Sequence, residues 1–223
     1  MNKQAVVIHG LGRTAFAMRS LAGMLRDHGY AVTNLNYPSR RLAIPELSAT
    51  YVKPALEQAA ARGRIDIITH SLGGILFRYY LAYELNQQVT DQLGRAVMLA
   101  PPNHGSEIPD RLRHWPLVNW IMGPNLAALS TDPLSVPKRL NCSEPQNYPC
   151  EIGIIAGNRS LEPWFSPWMS GKNDGKVSVA STRLAGMADH LEVAVGHTFI
   201  MNDPQVHRQI RYFLDNGCFC REA

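Results

Sequence analysis

The strongest constraint on this chain is one short stretch. An apolar, β-branched run, RIDIIT at 64–69, breaks into His70-Ser71-Leu72-Gly73-Gly74 and then into a helical pattern. A strand with no polar alternation is buried on both faces. The turn that follows it at once must hand the chain to a helix with almost no linker.

The same strand, turn and helix order recurs along the chain. Strand-like runs occupy 4–9, 30–37, 64–69, 95–100, 151–156 and 190–195. Helical patterns fall at 14–28, 45–62, 73–86 and 203–215. Pro45 stands near the start of the second helix and Pro54 inside it, where a kink or restart is expected. Alternation of this kind predicts an α/β fold: a mostly parallel sheet of about six strands with helices on both faces. The pattern reads as a single domain over 1–223, without internal repeats.

Two stretches interrupt it. Residues 103–149 are Pro-rich and carry Trp115 and Trp120, and read as a lid-like insertion. Residues 161–171 gather Trp164, Phe165 and Trp168 into one aromatic loop. Long insertions in a compact domain usually carry function. These aromatics suit an apolar pocket or lid, and equally suit packing beneath long loops.

Composition narrows the classes. Of 223 residues, 45% are hydrophobic and 18% charged, which is globular rather than disordered. The net charge of +4 is scattered, and Arg40-Arg41 is as long as any basic run, so nucleic acid is excluded as a partner. A mild basic excess suits an anionic substrate, a transient membrane-surface contact or simply a solvated surface. The first apolar run is too short for a signal peptide, and no stretch approaches the ~20 apolar residues of a membrane helix. The expected location is cytoplasmic; oligomeric state is not legible. Cys142, Cys150, Cys218 and Cys220 form no metal signature, and a Cys142–Cys150 disulfide is left open.

Serine nucleophiles sit on tight strand-to-helix turns, with small residues two before and two after. Ser71 meets this with Gly73, whereas Thr69 departs from it. The N–H of Leu72 opens a helix and faces the place where an oxyanion forms. The turn His9-Gly10-Leu11-Gly12 after the first strand offers the N–H of Leu11 as a second donor. A helix cap alone would also explain Ser71.

The general base is sought among eight histidines. In this chemistry on open α/β sheets the order is serine, acid, histidine, at the carboxyl ends of strands. His197, just past the last strand, meets both conditions. The acid is read as Asp174, in an Asp-Gly turn after the fifth strand, with Glu162 and Asp189 as rivals.

Taken in order, VVIHGLG (6–12), ITHSLGG (68–74), LAPPNHGS (99–106), NDGKVSVAS (173–181) and GHTFIM (196–201) resemble the α/β-hydrolase superfamily. The likeness is to its small lipase-like branch, with GPI-inositol-deacylase-like esterases. It implies a minimal version of that fold, a Ser71–Asp174–His197 triad, and a site near Pro102, Asn103 and Gly105. The implied activity is hydrolysis of a small-molecule or lipid ester through an acyl-enzyme, with no cofactor or metal. Thioesterase, amidase and acyltransferase chemistry use the same machinery, and a non-catalytic ligand-binding role remains the alternative.

Overall fold

The computed structural model describes residues 3–112, 114–143, 147–160 and 168–221. Six strands form one sheet: β1 Gln4–Ile8, β2 Ala31–Leu35, β3 Ile65–His70, β4 Leu93–Leu99, β5 Glu151–Gly157 and β6 Asp189–Val193. Their order is β2-β1-β3-β4-β5-β6, and every pairing is parallel. The chain winds outward from β1 to β2, then returns to the other side of β1 and runs on to β6. The reversal leaves a crevice beyond the carboxyl ends of β1 and β3, where open α/β sheets bind ligands.

Side chains alternate strictly between two helical layers. Val6, Ile8, Ile67 and Met98 pack on one face with Leu56, Leu76 and Tyr80. Ala5, Val7, Ile68 and Val97 pack on the other with Leu21, Leu25, Ile210 and Phe213. The first layer is α2 Ile44–Leu47, α3 Lys53–Ala60 and α4 Leu72–Tyr83. The second is α1 Arg19–Asp27 and, at the far end of the chain, a helix over Pro204–Asn216. The α/β expectation of about six strands with helices on both faces therefore holds.

Local differences have physical causes. The expected helix over 45–62 is divided by a π-helical turn, Ser48–Val52, set directly before Pro54. Proline cannot donate to the carbonyl four residues back and its ring crowds it. The wider turn relieves that clash without a break. The last strand starts one residue earlier and ends two residues earlier than 190–195. Phe16, in the short helical turn before α1, is exposed, and its ring lies 3.8 Å from the Arg19 guanidinium.

Strand β3 carries a buried charge, Asp66, that takes hydrogen bonds from the Tyr30 hydroxyl at 2.8 Å and the Arg95 N–H at 2.6 Å. That amide is diverted from the ladder, and the β3–β4 register shifts there.

Between β4 and β5 the insertion is built of helices after α5 Gln87–Thr90: α6 Glu107–Leu112, α7 Pro116–Met122, α8 Pro124–Ala128 and α9 Val136–Ser143. Leu129, Val136 and Leu140 bury into the first core layer. A short α10, Val179–Thr182, precedes β6, and Pro204–Asn216 is α11. All four cysteines are free thiols, so the disulfide left open by the sequence is not formed. No described helix is long and apolar enough to cross a membrane.

Helix α4 presses against β1 so closely that a Cβ at Gly73 would lie 2.5 Å from the Ile8 carbonyl oxygen and 2.8 Å from that of His9. Neither backbone atom can swing aside. Gly73→Ala should therefore cost about 1–3 kcal/mol of stability, read as a lower urea midpoint. An unchanged midpoint would show that α4 and β1 separate freely.

Candidate active site

Ser71 sits in the crevice with φ +51° and ψ −120°, a conformation that costs a non-glycine residue ~1–3 kcal/mol. The turn is pinned by its neighbours. The Ser71 N–H donates to the Leu99 carbonyl at 2.9 Å, and the Gly74 N–H donates to the Ser71 carbonyl at 2.9 Å. Thr69 fits two residues before the serine because Gly74 lacks a side chain. A Cβ at Gly74 would sit 3.3 Å from the Thr69 hydroxyl and 3.0 Å from Pro101.

His197 lies in the loop after β6. Its Nε2 is 3.0 Å from the Ser71 Oγ, and its Nδ1 is 2.7 Å from Asp174 Oδ2. The other oxygen of Asp174 accepts N–H bonds from Lys176 at 3.0 Å and Val177 at 2.8 Å. A carboxylate has no proton to give, so Nδ1 carries the hydrogen and the Nε2 lone pair faces the serine hydroxyl. The His197 N–H also donates to the Asp174 carbonyl at 2.9 Å, joining the two loops at the backbone. All three side chains are nearly sealed: Ser71 is 8% exposed, His197 6% and Asp174 2%.

The structure also separates Asp174 from one rival. Asp189 opens β6, at the end of the strand away from His197, where it is taken up by Arg221, the Phe219 N–H and the His190 N–H. Glu162 lies outside the described residues.

Leu11 and Leu72 flank Ser71. Leu11 lines the cavity above it, and Leu72 is the first residue of α4. Neither N–H donates to a backbone carbonyl among the described turn and loop hydrogen bonds. The Leu11 turn is locked from below. The His9 ring stacks on Tyr37 at 4.0 Å, and the Tyr37 hydroxyl donates to the His9 carbonyl.

His70 is a residue the sequence passed over, because it abuts the serine. It is fully buried, lines the cavity, and its Nε2 donates to the His197 carbonyl at 3.1 Å. Burial, and after it the nearby imidazole of His197, holds its pKa well below the usual histidine value, so it stays neutral.

Ser71 and His197 open into a cavity of about 300 Å³. Ile108 and Leu112 of α6, Val118 and Met122 of α7, and Leu129 beyond α8 form its apolar wall. Sequence had offered other residues for this wall. Asn103 is fully buried but does not line the cavity. Its amide donates to the Thr182 carbonyl at 2.8 Å and its oxygen accepts from Arg78 at 3.1 Å. It braces the site from beneath. Trp115 and Trp120 point to solvent, 62% and 82% exposed. Trp168 lies 5.7 Å from the Arg111 guanidinium and is not part of the wall. Trp164 and Phe165 fall outside the described residues. Helix α7, which carries Trp120, does reach the cavity, but through Val118 and Met122.

Residues 5–210 match the Alpha/beta hydrolase family, and the chain belongs to that family. No curated protein sequence matches it. Among solved structures, Bacillus licheniformis lipase BlEst2 in its propeptide form superposes with a TM-score of 0.81 at 18% identity, over all of this chain and 52% of that one. This chain thus spans about half the length of that form. The mature form gives 0.74 at 18% identity, over 95% of this chain and 90% of that one. Phospholipase PlaB from Legionella pneumophila gives 0.66 at 19%, over 82% and 46%. Aspergillus fumigatus lipase B gives 0.71 at 13%, over 96% and 53%. At such identities the likeness is one of fold.

The buried polar groups around the site yield two expectations. Asn103→Ala removes partners from the buried Arg78 guanidinium, which should cost about 1–3 kcal/mol in unfolding experiments. If Asn103→Ala instead raised KM at unchanged stability, the residue would touch substrate after all. The second concerns acid. The folded state resists protonating His70 while the unfolded chain accepts the proton, so stability is full above the ordinary histidine pKa of about 6.5 and declines as pH falls below it. Urea midpoints across that window should fall, and His70→Gln should flatten the slope. A slope unaltered in the variant would remove His70 as its source.

Proposed function

We propose that the chain is a serine hydrolase that cleaves a carboxylic ester through an acyl-enzyme. The observation that carries this reading is the unbroken line of hydrogen bonds from the Ser71 hydroxyl through His197 to Asp174, at 3.0 and 2.7 Å. A merely structural serine has no need of an imidazole nitrogen 3.0 Å away whose ring is oriented by a buried carboxylate.

In this mechanism Ser71 Oγ attacks the acyl carbonyl while His197 Nε2 takes its proton. Asp174 holds the ring in the required tautomer and stabilises the imidazolium. The N–H groups of Leu11 and Leu72 receive the developing oxyanion. His197 then protonates the departing alcohol. Water, activated by the same nitrogen, releases the acid and restores Ser71.

The apolar wall supports an acyl chain as the group bound above Ser71. The cavity lies at the lower end of the ~300–1,000 Å³ usual for small-molecule sites, which favours a chain of medium length over acetyl. In this proposal α6 to α8 act as a lid. The exposed Trp115, Leu117 and Trp120 at and on α7 support transient contact with a lipid surface.

A fluorophosphonate probe should label the chain, and Ser71→Ala should abolish labelling. His197→Ala and Asp174→Asn should each lower kcat by ~10⁴ with the fold retained. The check is p-nitrophenyl ester turnover over a series of acyl lengths, beside circular dichroism of each variant. Near-normal turnover in His197→Ala would exclude it as the base, and a preference for acetyl would remove the acyl-chain reading.

A further inference from the structure

The mouth of the cavity over Ser71 is cationic. Arg13 and Lys176 line it. Arg13 also lines a second hollow, of about 570 Å³, beside the first, whose wall includes Arg40 and Arg41. Neither hollow has an aspartate or glutamate among its described lining residues. The chain has 18 acidic residues against 22 Lys and Arg, so this wall departs from the average surface.

The basic loop is held in place. The side-chain amide of Asn125, fully buried in α8, donates to the carbonyls of Ser39 and Leu42, each at 2.8 Å. The Ser39 hydroxyl accepts the Gly12 N–H at 3.0 Å, tying the loop to the turn that carries Leu11. Arg40 donates to the Ile121 carbonyl at 3.4 Å. Among the described residues neither Arg13 nor Arg41 has an ion-pair or side-chain hydrogen-bond partner. The backbone that carries Arg41 is thus fastened beside the turn of Leu11, and Arg13 lines both the hollow next to it and the apolar cavity.

We propose that the substrate is an ester with an apolar acyl chain and an anionic alcohol half, a phosphate or carboxylate, bound in the hollow between Arg13, Arg40 and Arg41. This rests on Ser71 being the nucleophile. Guanidinium groups bind such anions through paired, charge-assisted hydrogen bonds. A cleft of one sign with low-dielectric walls also concentrates an anionic substrate. The acyl chain lies under α6 and α7, the scissile carbonyl over Ser71, and the anion on the far side of Arg13.

The test is a matched set of esters with one acyl chain: octanoyl glycerol, octanoyl glycerol 3-phosphate and octanoyl glycerophosphocholine, each below its aggregation threshold. The phosphate monoester should show kcat/KM about tenfold or more above the neutral ester, the difference lying in KM. The zwitterionic ester should fall between them. The gain should shrink as salt is added. Glycerol 3-phosphate should compete with neutral ester more strongly than inorganic phosphate does, which separates a headgroup site from a free-phosphate site.

Arg41→Ala should reduce the anionic-over-neutral ratio and Arg41→Glu should bring it to one or below, with Arg40→Ala as an independent check. Arg41→Lys should keep part of the gain. A wild-type ratio at or below one overturns the anion site while leaving the esterase reading intact, as does a ratio unmoved by Arg41→Glu. Failure of every ester together with no fluorophosphonate labelling removes the nucleophile, and this proposal with it.

Discussion

The backbone of Ser71 is the point on which the site turns. A non-glycine residue at φ +51° persists only where its surroundings leave no alternative. Here the surroundings come from four strands. The β3 end supplies the turn, β4 accepts its N–H through Leu99, and β1 presses Gly73 from below. The loop after β6 brings His197 within hydrogen-bonding distance of the hydroxyl. His70 and Ser71 both reach residue 197, one at its carbonyl and one at its ring. Ser71 and His197 are therefore positioned as one unit, not as two side chains that happen to meet.

Beneath that unit lies a layer of buried polar groups, each answered by specific partners. Asp174 is bonded at both carboxylate oxygens, and Ser106 donates to the Lys176 carbonyl at 2.6 Å. Ser181 donates to the Gly105 carbonyl, and Asn103 links Arg78 to Thr182. The segment after β4 is thus stitched to the loop that carries Asp174. In low dielectric such groups are costly when left unpaired, which makes the arrangement specific as well as stable. It also explains why Asn103 sits close to the site in the chain yet never reaches the cavity.

Much of this was legible in the sequence, for reasons that can be named. Strands buried on both faces leave continuous β-branched runs, so β1, β3, β4 and β5 were placed to within about two residues. Ser71, Asp174 and His197 were singled out because strand ends are marked by Gly and by turn residues. The cavity wall was not legible. Periodicity says that α7 has two sides but not which of them faces the protein, and the eye is drawn to Trp120 and to Trp115 just before it. Both face solvent, while the smaller Val118 and Met122 line the cavity. Arg13 and Lys176 were equally hidden. Each directly follows a motif, His-Gly-Leu-Gly or Asn-Asp-Gly, yet only the fold reveals that the two line one hollow. The charge of Asp66 in a core strand carried no signal of its partner Tyr30.

The insertion also couples the two halves of the proposed substrate site. Helix α8 is fastened to the basic loop by Asn125, while α7 precedes it across Gly123 at φ +73°. A Cβ at Gly123 would lie 1.7 Å from the Arg40 carbonyl oxygen, so the basic loop and this turn are in direct backbone contact. The wall that faces Ser71 through Val118 and Met122 and the loop that carries Arg40 and Arg41 are thus packed as one piece, so the proposed acyl and anion sites share a common frame.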